Sequence, residues 1–171
     1  VSDGDNSLIA HLMTLQKNKD RGALAALRKG LGKEPGTVPE MFEHVVSYVP
    51  RGASKEREDA YFLVASLFAS YPDGCGHGDM GATFRAICTS VNSDSIEKRF
   101  VSLLKSHREE LPEHLRHAIA LAKSKDAPMD WDQLLNDLQY WDDASGSVQR
   151  RWARSFWYVR ADGDADQKSE E

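Results

Sequence analysis

Three groups of side chains in this sequence could do chemistry, and spacing decides how far each can go. Cys75, His77 and Asp79, with Cys88 downstream, are of the types that bind metals. Structural zinc wants four ligands at recognisable paired spacing, and neither a CxxC nor an HxxxH pair is present, so no metal site is expected. His107, His114 and His117 fall in a basic stretch, and His114 and His117 can meet on one helix face with Glu113 close by. A third catalytic element would have to come from elsewhere. The carboxylate pairs Glu109 with Glu110, and Asp142 with Asp143, are chain neighbours and so diverge on a helix. The glycine-rich run DGCGHGDMG lacks the GK[ST] ending of a phosphate loop, and no nucleophile stands beside an evident base. The expectation is a protein that is not an enzyme and takes no cofactor.

The third group is the cations. Residues 21–33 hold Arg21, Arg28, Lys29 and Lys33 with no acid, and residues 98–125 carry a net charge of +4. Residues 150–160 hold Arg150, Arg151, Arg154 and Arg160, again with no acid. Between the last two clusters, residues 126–143 contain six Asp and no base. At 100° per residue, side chains seven apart fall within about 20° of each other. Arg21 and Arg28 therefore share a helix face, as do Lys98 and Lys105, and Arg116 and Lys123. Arg150, Arg154 and Trp157 lie together opposite Trp152 and Phe156. Such pairs can track a phosphate backbone, and an exposed tryptophan among arginines can stack on a base. The same spacing also fits long cations coating the wet face of a bundle, with Trp157 packed into a core or a subunit contact.

The elements that carry these residues read as helices throughout. Usage favours helix, with 18 Ala and 16 Leu against 4 Ile and 4 Thr, and no period-two alternation marks a sheet. Leu8, Leu12 and Leu15 form a first stripe; Leu24, Leu27 and Leu31 form a second, closed by Gly30, Gly32 and Pro35. Pro39 suits a first helical residue, with Phe42, Val45, Val46 and Val49 facing inward. A long helix over 54–71 ends at Pro72 and the glycine-rich surface loop, and another follows over 80–91. Asp94 and Glu97 resemble a capping box for a helix whose inner face is Phe100, Leu103, Leu104, His107 and Leu111. Pro112 allows a restart with Leu115, Ala118, Ile119 and Ala122. Asp130 and Gln133 cap the clearest helix, with Trp131, Leu134, Leu135, Leu138 and Trp141 on one face. A turn at 145–147 precedes a last helix with Trp152, Phe156 and Val159.

The expected fold class is all-α: a single compact bundle-like domain of roughly seven to nine helices over residues 1–161, with a disordered acidic tail over 162–171. At 171 residues one domain can bury a real core without staples. Two cysteines make no disulfide framework and no apolar run is long enough to span a membrane, so a cytoplasmic protein is expected. The net charge of −5 argues at face value against a nucleic-acid partner. Yet the tail from Asp162 contributes −4 and Asp3 with Asp5 another −2, which leaves residues 6–161 near neutral. Charge distribution then matters more than its sum.

An ordered series of segments resembles a known family. RGALAALRKGLGKEPG, MGATFRAI, IEKRFVSLLKS, LRHAIALAKS, MDWDQLLNDLQYW and QRRWARSFW resemble the CasB family, the small subunit of the type I-E CRISPR surveillance complex, Cascade. The resemblance covers most of residues 8–157. It implies a non-catalytic, metal-free helical protein that sits as a homodimer in Cascade, touching the backbone and large subunits. It also implies contact with crRNA-guided target DNA, on both the target and the displaced non-target strand, to stabilise the R-loop. The matching cations are Arg21, Arg28, Lys29, Arg85, Lys98, Arg99, Lys105, Arg116, Lys123, Arg150, Arg151 and Arg154. Their implied role is phosphate contact without base readout, since guide pairing supplies the sequence specificity. Lys98 departs from the family pattern, where a second arginine beside Arg99 is expected, so a two-pronged grip on phosphate is lost there. The glycine-rich loop and the acidic tail match no family element. The alternative reading is a helical protein-interaction adaptor whose basic faces bind an acidic partner.

Overall fold

A computed structural model describes residues 7–89 and 93–157. Nine α-helices occupy the described residues: α1 Leu8–Lys17, α2 Arg21–Arg28, α3 Phe42–Val45, α4 Lys55–Ser70, α5 Met80–Cys88, α6 Ser93–Lys105, α7 Leu111–Ser124, α8 Trp131–Gln139 and α9 Ser147–Trp157. No strand occurs among them, so the all-α expectation holds. The 162–171 tail, Val159 and Arg160 lie outside the described residues.

Local chemistry starts most of these helices. Ser7, Asp20, Ser54, Asp79 and Asp130 each accept a hydrogen bond from the backbone N–H three residues on, at 3.0–3.3 Å. Each such cap contributes about 1 kcal/mol. Asp94 does not act this way: α6 opens at Ser93, so Asp94 sits inside its first turn. There its carboxylate complements the helix dipole instead.

Segment 39–49 departs from its expected single helix. Pro39–Met41 and Val46–Tyr48 are 3-10 turns flanking the short α3. The tighter turns break the 3.6-residue period, so Val45 is fully buried while Phe42 and Val46 stay exposed. His107, expected on the inner face of α6, lies exposed beyond the end of that helix.

α4 is the central element. Ala60, Phe62, Val64, Ala65, Leu67, Phe68 and Ala69 are all buried because α1, α2, α7 and α8 pack around it. A second group gathers on α5, which packs against α6, α7 and α9. The closest approach is at Gly81, where a Cβ would lie 1.9 Å from the Trp152 carbonyl oxygen, so only glycine fits. An aromatic chain fills this side, with centroids 5.0 Å apart for Phe84 and Phe100 and 4.5 Å for Phe100 and Phe156.

Two further devices tie elements together. The fully buried Asp137 of α8 accepts hydrogen bonds from Trp152 Nε1 at 2.7 Å and Gln133 Nε2 at 2.8 Å, and pairs with Arg151. Burial pushes its carboxyl up, and those donors and the Arg151 charge oppose the shift. The second device is the glycine-rich run, expected as a plain surface loop. It forms an isolated parallel bridge between Cys75 and Met129, with Gly76 N–H donating to the Met129 carbonyl at 2.8 Å and Met129 N–H to that of Gly74 at 2.6 Å. Gly74 is buried against the Tyr71 ring, whose hydroxyl donates to the Ala127 carbonyl at 3.0 Å.

Candidate nucleic-acid interface

The twelve nominated cations divide by what they already hold. Arg28 donates to the Ala69 carbonyl at 3.3 Å, Arg85 to that of Ser155 at 3.1 Å, and Lys123 to that of Ser70 at 3.2 Å. Lys29 pairs with Glu40 at 2.9 Å, Arg116 with Glu113 at 2.7 Å, and Arg151 with the buried Asp137. Five of these tie separate elements together, and Arg116 pairs within α7. Arg21, Lys98, Arg99, Lys105, Arg150 and Arg154 are exposed and make no ion pair among the described residues. The twelve do not form one continuous face. Arg21 stands at the start of α2, whereas Lys98, Arg99 and Lys105 stand on α6, and Arg150 and Arg154 on α9.

The most coherent feature is a groove of 490 Å³ between α6 and α7 with Phe84 of α5 at its floor. Lys98, Arg99 and Ser102 line one side and His114 and His117 the other, over Leu103, Ala118 and Leu121. No carboxylate lines it. His117 Nε2 lies 3.1 Å from a Glu113 carboxylate oxygen, and Glu113 itself accepts from Arg116. The part of His114 and His117 could not be seen in spacing alone, because it depends on the short 106–110 connection folding α7 back along α6.

A second groove of 580 Å³ lies between the 30–35 turn, α4 and α7. Lys33, Lys55, Arg108 and Arg116 interleave with Glu34, Glu56, Asp59, Glu109 and Glu113 around it. Lys55 pairs with Asp59 at 2.7 Å and approaches Glu34 at 3.8 Å.

Trp157 at the end of α9 is 38% exposed, its ring 5.5 Å from Phe100 and 4.8 Å from Phe156. One face is thus packed and part of the ring is open, an arrangement that can offer a stacking surface.

Cys75 and Cys88 are not disulfide-bonded, and burial first, then Asp73 and Asp132, push the Cys75 thiol up, away from the thiolate form a metal or nucleophilic role requires. Among the described residues no three His, Cys, Asp or Glu side chains gather as a metal-binding group. None of the described helices is long and apolar enough to cross a membrane.

The family model described as CRISPR-associated protein Cse2 matches residues 23–157. The chain belongs to the Cse2 family. The Cse2 protein of Thermus thermophilus is 34% identical over 152 residues, covering 87% of this chain and 86% of that one. The crystal structure of CasB from the same organism superimposes with a TM-score of 0.78 at 32% identity, over 92% of this chain and 99% of that one. A chain of a CRISPR RNA-guided surveillance complex shares the fold, with a TM-score of 0.76 at 24% identity, over 92% and 95% of the two chains. Every nominated cation except Arg21 falls within the Cse2-matched residues.

Proposed function

We propose that this Cse2-family chain is a non-catalytic small subunit of a type I-E CRISPR surveillance complex, Cascade. In this reading it assembles as a homodimer beside the backbone and large subunits. It holds crRNA-paired target DNA and the displaced strand by contacts to phosphates, and so stabilises the R-loop. Family membership supports the assembly, and one observation carries the nucleic-acid part: the carboxylate-free groove with Lys98 and Arg99 on its rim.

Phosphate contact of this kind needs no base recognition, since the guide supplies the sequence. It needs cations whose charge is not already spent. Arg21, Lys98, Arg99, Lys105, Arg150 and Arg154 meet that condition, and Trp157 adds a partly open ring for an unpaired base. At Arg116 a phosphate has to displace Glu113, and at Lys29 it has to displace Glu40. Arg28, Arg85, Lys123 and Arg151 reach a strand only with donors left over from their internal bonds. Arginine keeps some in reserve, because one fork carries five N–H donors.

The test is charge reversal at Arg99, Lys105 and Arg116 together in reconstituted Cascade. R-loop lifetime, followed by gel shift over a salt series, is expected to shorten about tenfold, with a shallower salt dependence. An unchanged lifetime overturns the nucleic-acid role of these faces.

A further inference from the structure

We infer that the acidic C-terminal segment of this chain docks back into the α6–α7 groove, its carboxylates standing where nucleic-acid phosphates would. Its regulatory consequence rests on the nucleic-acid reading above; the docking itself does not.

Lys98 and Arg99 give the groove positive charge that no described carboxylate pairs. Lys98 and Arg99 are exposed and make no ion pair among the described residues, and the lining contains no acid. In a chain of net charge −5 this is a local reversal of sign, and apolar walls such as Phe84 and Leu103 concentrate the field inside it.

The chain leaves α9 at Trp157, separated from the groove floor by the buried Phe100. The Trp157 ring lies 5.5 Å from Phe100, and the Phe100 ring lies 5.0 Å from Phe84 in the groove floor. Residues 158–171 follow, with Asp162, Asp164, Asp166, Glu170 and Glu171 against Arg160 and Lys168. At about 3.3 Å per residue, Asp162 reaches roughly 17 Å from Trp157 and Glu171 roughly 46 Å, more than the distance needed. Alternation matters as well. In an extended chain Asp162, Asp164 and Asp166 project to one side about 7 Å apart, comparable with successive phosphates of a stretched single strand.

Charge also selects which groove. In the cleft between α4 and α7, Lys33, Lys55, Arg108 and Arg116 are offset by Glu34, Glu56, Asp59, Glu109 and Glu113, so it offers an acidic segment no net attraction. Tethering supplies an effective concentration in the millimolar range, so contacts too weak for a free peptide are populated within one chain. A strand entering the groove must first displace the segment. Weak encounters are therefore suppressed, and strands held by the rest of an assembly are admitted.

The test uses the full-length chain. One variant replaces Asp162, Asp164 and Asp166 by Asn and Glu170 and Glu171 by Gln. Amide resonances of Arg99, Ser102 and His117 are expected to move relative to wild type, while those of Lys33 and Lys55 stay. A labelled oligothymidine at low salt is expected to bind about fivefold more tightly, and K98Q/R99Q is expected to abolish that gain. Unmoved groove resonances overturn the docking. So does a gain that persists in K98Q/R99Q, which makes it a long-range charge effect, or a shift that depends on protein concentration, which assigns the segment to a second copy. Groove resonances that move while neither protein binds the oligonucleotide support the docking and count against the nucleic-acid reading of the isolated chain.

Discussion

Helix α7 separates two grooves of similar size and opposite electrostatic character. On the α4 side, cations and carboxylates interleave, and Lys55 and Arg116 are already paired. On the α6 side, Lys98 and Arg99 face two histidines and no acid. The number of cations in a segment therefore says little about its capacity for phosphate. What matters is whether a carboxylate sits within reach, on the same helix as for Lys55 and Arg116 or on another element as for Lys29. Surface pairs such as Lys55 with Asp59 contribute little to stability, but they cancel local potential effectively.

The sharpest way to break this contrast is through α5, which carries Phe84 at the floor of the α6 groove. G81A drives a Cβ into the Trp152 carbonyl, so α5 and α9 must separate. Overpacking of this kind costs about 3 kcal/mol, a fall of roughly 9 °C in Tm. Hydrogen exchange is expected to accelerate in α5 and α9 while α4 and α8 keep their protection. Equal loss on both sides would show that the two groups of helices are one cooperative unit.

Next in size is a direct exchange between the grooves. K98E/R99E is expected to weaken binding of a single-stranded oligonucleotide at low salt by more than about tenfold and to lower the salt slope by about 1.4. K33E/K55E, carrying the same charge change on the other side, is expected to alter it less than about twofold, because Lys55 is already neutralised. Equal losses would remove the distinction between the grooves.

A smaller effect links them. The hydrogen bond and charge of Arg116 hold the Glu113 carboxyl below its usual range, so the pair stays intact at neutral pH and weakens only as pH falls through that lowered value. E113Q frees Arg116 and His117 together, and oligonucleotide affinity is expected to rise about twofold.

The smallest effect serves as a control remote from both grooves. His11 stacks on Tyr48 and His44, with ring centroids 4.9 and 6.0 Å away, and burial, then the His44 charge, lower its pKa. An imidazole harder to protonate in the folded state than in the unfolded one stabilises fully above about pH 6.5 and loses that contribution as pH falls. Tm is expected to drop by roughly 1–2 °C between pH 7.5 and 5.5, and H11F is expected to remove the dependence.

The helices were largely legible in the sequence where a cap and a stripe agree. Asp130 with Trp131, Leu134, Leu135, Leu138 and Trp141 fixes α8 and its inward face, and all five are buried. Ser54 at one end and Pro72 at the other bound α4. Segment 39–49 was not legible, because its 3-10 turns discard the helical period. The CasB-like series was legible as a family, and the Cse2 match agrees with it. Four of the twelve nominated cations were hidden in another sense. Arg28, Arg85 and Lys123 bond carbonyls 41, 70 and 53 residues away, and Arg151 meets an aspartate on a different helix. Helical spacing reports which side chains share a face, never what stands opposite that face.

The bridge between Cys75 and Met129 has a topological meaning. The chain departs from the α4–α8 pair at this point and returns through it, so α5, α6 and α7 form an excursion closed at its base by a pair of backbone hydrogen bonds. For a loop of this length, closure costs about 3.5 kcal/mol in the logarithmic chain-entropy term, and doubling it would add only about 0.6. Evolution can therefore lengthen or shorten the α6–α7 hairpin at little thermodynamic cost, altering the reach of its groove while the base of the excursion stays in register.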